Sequence, residues 1–74
     1  MTKLPVISGR EALRALERAG FVQVGGKGSH CKLVHDERHL TVIVPLHRRA
    51  LPRGTLVSIL RQAGTTADEP RLLL

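Results

Sequence analysis

Ser29-His30-Cys31-Lys32-Leu33-Val34-His35-Asp36-Glu37-Arg38-His39-Leu40-Thr41-Val42-Ile43-Val44-Pro45 alternates in character on either side of a polar break. Side chains along a strand point to opposite faces in turn, so Cys31 and Leu33 share one face and His30, Lys32 and Val34 the other. After Asp36-Glu37-Arg38, a turn without glycine, Leu40, Val42 and Val44 resume the alternation. This is a half-buried hairpin with strands over about 29–35 and 39–44, ended by Pro45, which has no N–H to give to a ladder. Upstream, Phe21-Val22-Gln23-Val24 is short, β-branched and bounded by glycines, which predicts a further strand over 21–24. Gly25-Gly26-Lys27-Gly28 is expected to be a loop.

Helices flank these strands. Ser8-Gly9-Arg10-Glu11 has the form of a capping box, and Ala12, Leu13, Leu16 and Ala19 follow at helical spacing. The expected helix spans about 9–19 and closes at Gly20. A second helix over about 52–63 starts near Pro52, carries Leu56, Ile59, Leu60 and Ala63 as its buried stripe, and stops at Gly64. A short further helical stretch is expected over about 67–73, interrupted by Pro70. The order α-β-β-β-α, with that short extra helix, is an α+β unit whose three-stranded antiparallel sheet is covered by helices on one face and wet on the other.

The 74 residues suit a single domain over 1–74, one that buries about 60% of its unfolded surface. Its longest apolar run, Val42 to Leu46, is far below the roughly 20 residues that span a bilayer. Met1 to Pro5 has no apolar leader core, and the lone Cys31 forms no internal disulfide, so a cytoplasmic protein without membrane association is expected. Twelve Lys and Arg against six Asp and Glu give a formal charge of +6. Residues 1–23 contribute +2, residues 24–64 contribute +5 and residues 65–74 contribute −1. All four histidines and the glycine group Gly25, Gly26 and Gly28 fall in the same middle stretch. That coincidence points to an anionic partner, nucleic acid above all.

The sharpest local feature is Lys27-Gly28-Ser29-His30. A glycine-framed loop lets backbone N–H groups and a lysine approach a phosphate, while the strand start holds an imidazole beside it. Cleaving RNA without a metal needs a base for the 2′-OH, cations for the charge on phosphorus and an acid for the departing 5′-oxygen. Imidazole, with an ordinary pKa near 6.5, suits either proton transfer. His30 fits base or acid. Lys27, Gly28, Ser29, Lys32, Arg48, Arg49 and Arg53 are candidate substrate contacts, provided the loop before the second helix lies beside the glycine loop. His47 is a further candidate, as acid or phosphate ligand. No Asp or Glu stands in a triad with Ser29, so its hydroxyl reads as a hydrogen-bond donor.

Gly20-Phe21, the turn into Gly28-Ser29-His30, Val44-Pro45-Leu46-His47 and Gly54-Thr55-Leu56-Val57-Ser58-Ile59-Leu60-Arg61-Gln62-Ala63-Gly64 occur in an order and spacing that resemble the HicA family of toxin ribonucleases, from about Leu4 to Asp68. The resemblance implies a fold like that of double-stranded-RNA-binding domains. It implies an mRNA interferase that works without metal or cofactor, is neutralised by a HicB-like antitoxin, and uses the histidine of Gly-Ser-His, here His30. The sequence departs from the family pattern at Asp36-Glu37-Arg38, where glycine is common, and at Pro70, where the family tail continues as a helix.

Plainer roles compete at the other residues. His35 and His39 flank the hairpin turn as possible cross-strand neighbours, but two ligands fall short of the four that structural zinc takes. Arg10, Arg14 and Arg18 line one side of the first helix, as an RNA-tracking stripe or a solvated face. Cys31 reads as a small buried hydrophobe. With Phe21 in the core and no Trp or Tyr, bases have no aromatic platform, so recognition rests on phosphate, sugar and shape. The competing function is a non-catalytic RNA-binding module of the same fold. A DNA-binding or ribosome-associated fragment has less support, because Arg61 is the one cation between Gly54 and Gly64.

Overall fold

A computed structural model of the protein describes residues 4–47, 49–66 and 72. The elements are α1 (Gly9–Arg18), β1 (Val22–Lys27), β2 (His30–His35), β3 (Leu40–Pro45) and α2 (Arg53–Gln62). The strands form one antiparallel sheet in the order β1-β2-β3. This is the α+β order expected from the sequence. The short C-terminal helix expected over 67–73 lies outside the described residues, apart from Leu72, which packs half-buried against the core.

α1 starts and stops by local chemistry, and α2 stops by the same device. The Ser8 hydroxyl accepts from the Glu11 N–H at 3.2 Å, and the Glu11 carboxylate accepts from the Ser8 N–H at 3.1 Å, closing the capping box. At the other end Gly20 takes φ +99°, the Gly20 N–H donates to the Glu17 carbonyl, and the Phe21 N–H donates to the Leu16 carbonyl at 3.0 Å. These are the paired bonds of a Schellman motif, with Leu16 and Phe21 both in the core beside it. Gly64 repeats the device after α2 at φ +81°, with the Thr65 N–H donating to the Leu60 carbonyl at 2.9 Å.

One apolar cluster joins Ala12 and Leu16 of α1, Cys31 and Leu33 of β2, Val42 and Val44 of β3, and Leu56 and Ile59 of α2. Both helices therefore cover the Cys31–Leu33 face, and the face carrying His30 and Lys32 is left to solvent.

Several element ends shift by a residue from the sequence reading, and three differences bear on the sheet. Gly25, Gly26 and Lys27 are strand, not loop: they pair with Lys32, Cys31 and His30. A register shift between Gln23 and Gly25 leaves Val24 as the extra residue of a bulge. Gly25 and Gly26 adopt φ +143° and +150°, and a Cβ on Gly26 would collide with the His30 carbonyl. Glycine here admits a bulge and a close backbone approach rather than ending the strand. Secondly, Pro45 is the last residue of the ladder, opposite His30, which an edge strand tolerates. Thirdly, His39 belongs to the turn, not to β3. It adopts φ +53° and its N–H donates to the Asp36 carbonyl at 3.2 Å, so histidine fills the left-handed position that glycine would otherwise take.

Candidate functional site

The β1–β2 hairpin turns on Gly28 and Ser29 alone, since Lys27 pairs with His30. Gly28 has φ +62° while Ser29 does not have a positive φ, the signs of a type II′ turn. His30 is thus the first residue of the central strand, exposed on the wet face with Lys32. Paired residues share a face, so Lys27 stands beside His30 on that side.

Three other segments converge on this end of the sheet. The Leu46 N–H donates to the Ser29 carbonyl at 2.5 Å, tying the chain beyond β3 to the hairpin tip. Gly9 packs so closely on Pro45 that a Cβ there would overlap the Pro45 carbonyl, which draws the start of α1 to the same place. Ser8 forms a β-bridge with Ala50, and the Leu51 N–H donates to the Ile7 carbonyl at 2.7 Å, which fixes the loop before α2.

The result is a cleft of about 610 Å³ along the edge of β3, lined by His30, Ile43, Pro45, His47, Arg49 and the first turn of α2 at Pro52 and Thr55. The His30 and His47 rings lie 6.3 Å apart, centroid to centroid, at 83° to each other. A second hollow of about 320 Å³ is lined by Ser8, Arg10, Leu46 and His47, so His47 forms the ridge between the two. Among the described residues no carboxylate lines either hollow. α2 enters the cleft without a side-chain cap or an acidic residue in its first turn, so its N-terminal dipole adds positive potential to that of the cations.

The candidate residues separate accordingly. His30, His47 and Arg49 meet in the cleft, with Lys27, Gly28, Ser29 and Lys32 at the hairpin or beside it. Arg53 does not line this cleft; it borders a separate hollow with Leu4, Pro5 and Val6. Arg48 lies outside the described residues. The sequence reading missed Arg10, which it grouped with Arg14 and Arg18. The bridge from Ser8 to Ala50 brings Arg10 to His47, and the residues before Gly9 carry no local sign of it.

His35 and His39 are not cross-strand partners: His35 stands opposite Leu40, and its ring meets the Phe21 ring edge-on at 5.2 Å. Among the described residues no three His, Cys, Asp or Glu side chains cluster as metal ligands would. Cys31 faces the core, where burial pushes its thiol pKa up and the charge of Glu17 adds to the rise. Both effects favour the neutral thiol over the thiolate, which is the nucleophilic and metal-binding form.

No curated protein matches the chain. A family model does: the family described as HicA toxin of bacterial toxin-antitoxin matches residues 9–65, from the first residue of α1 to the residue after Gly64. That match covers both helices, all three strands and the loop that carries His47 and Arg49, and by it the chain belongs to the HicA toxin family.

Proposed function

We propose that the protein is an mRNA interferase, a metal-independent endoribonuclease in which His30 carries the chemistry. The observation that supports this reading most is the exposed His30 imidazole in a cleft shared with His47 and Arg49, which no carboxylate lines among the described residues. Its Lys27, Lys32, Arg10 and Arg49 neighbours supply charge for the phosphodiester, and Gly28 and Ser29 allow close backbone approach. Arg53 adds to the grip only for a strand long enough to pass the start of α2. A HicB-like antitoxin would neutralise the enzyme by occluding this cleft, and the site of action is the cytoplasm, where mRNA is. Among the described residues no helix is long and apolar enough to cross a membrane.

The test uses purified protein and single-stranded mRNA in excess EDTA. Wild type cleaves, and His30→Ala loses about 10²–10⁴-fold in rate, the usual worth of a positioned acid or base. Loss of wild-type cleavage in EDTA, or full cleavage by His30→Ala, sinks the metal-free histidine mechanism. RNA binding without any product identifies the protein instead as a module that grips RNA.

A further inference from the structure

Cleavage by the neighbouring 2′-hydroxyl requires two proton transfers, one from the nucleophile and one to the leaving oxygen. Among the described residues lining the two hollows, His30 and His47 are the only side chains of a type that titrates near neutral pH. Their rings are too far apart at 6.3 Å to share a hydrogen bond and are nearly perpendicular. With a bond of about 2.7–3.0 Å from each ring to an oxygen, that gap suits one phosphodiester between them. The spacing is set by the main chain: Ser29 precedes His30, Leu46 precedes His47, and these two preceding residues are hydrogen-bonded to each other.

We propose that His47 is the second catalytic residue and that the two imidazoles divide the proton transfers of a transesterification. This rests on the ribonuclease reading above and specifies its chemistry. The 2′-oxygen attacks the adjacent phosphorus and gives its proton to the neutral imidazole. The bond from phosphorus to the 5′-oxygen breaks as that oxygen takes a proton from the other, cationic imidazole. The products are a 2′,3′-cyclic phosphate and a 5′-hydroxyl, with no water consumed and the two rings left in exchanged protonation states. One ring must be neutral and the other charged, so kcat/KM follows a bell-shaped pH profile. Among the described residues, the charged groups facing the pair are Arg49 across the cleft, Arg10 of α1 beside His47, Lys27 opposite His30 and Lys32 one row along the sheet.

The experiment uses an RNA oligonucleotide spanning a cleavage site mapped in mRNA. Versions of it carry a single 2′-deoxy sugar at that site or sulfur in place of the bridging 5′-oxygen. Wild type is expected to leave a cyclic phosphate and to spare the deoxy version. His47→Ala and His47→Gln, each checked for wild-type thermal melting, are expected to lose about 10²–10⁴-fold in kcat and one limb of the pH profile. Sulfur leaves without a proton, so the sulfur substrate restores the rate of whichever alanine variant, at 30 or 47, has lost the acid, and not that of the other. Three outcomes overturn the inference while leaving a His30 ribonuclease standing: both His47 variants keeping kcat within about threefold of wild type with a raised KM, a linear phosphate as the first product, or sulfur rescuing neither variant. Absence of any cleavage by folded wild type overturns both readings.

Discussion

Gly9 and Gly54 occupy the first turns of α1 and α2, yet their surroundings differ completely. Gly9 is buried against the Pro45 carbonyl and the Leu46 Cα, whereas a Cβ on Gly54 would meet nothing within 4 Å. Gly9→Ala forces α1 away from the end of β3 and should cost about 1–3 kcal/mol, as overpacking does. Gly54→Ala removes only backbone freedom from the unfolded chain and should stabilise by about 0.4–1 kcal/mol. Urea denaturation of the two variants reads both signs, and equal shifts in one direction would refute the account. The sequence disclosed part of this scale. The capping box and the inward Cys31 and Leu33 follow from local spacing, and the structure holds them. The closeness of Gly9 to Pro45, and with it the place of Arg10 beside His47, is set by residues more than thirty positions apart, and no local pattern encodes that.

At the scale of elements, the sheet has two different edges. β3 has its outer edge closed where the Ile43 N–H donates to the Gln62 Oε1 of α2 at 2.9 Å, and Gln62 in turn donates to the Ser58 hydroxyl at 3.2 Å. β1 has no strand on its outer side among the described residues, and all six of its residues are exposed. Gln62→Ala removes the side-chain bridge between α2 and the cleft-lining edge at Ile43. A single such bond is worth about 0.5–1.5 kcal/mol. Amide exchange at Ile43 should quicken while that of Leu33 in the central strand holds, and unchanged protection at Ile43 would refute the role given to Gln62. The β2–β3 hairpin was legible because alternation is a local signal. The length of β1 was not: glycine is ordinarily a strand breaker, and here a bulge at Val24 and the close backbone approach at Gly26 turn the same residues into ladder.

At the scale of the molecule, the +6 charge raises the question of which cations do the gripping. The arrangement selects four of those described: Lys27 and Lys32 on the wet face, Arg10 and Arg49 at the hollows. Arg18 is eight residues along α1 from Arg10, about 12 Å at 1.5 Å per residue, and so stands away from the His30 and His47 pair. Counterion release from single strands gives a slope of log affinity on log salt near −0.7 per phosphate neutralised. Four contacts therefore predict about −2.8, measured with His30→Ala so that RNA stays intact during titration. Lys32→Ala or Arg49→Ala should each flatten the slope by about 0.7, and Arg18→Ala should leave it where it is. If Arg18→Ala flattens it equally, the RNA runs along α1 rather than across the sheet. In that case the basic stripe of the first helix, and not the cleft, carries the substrate.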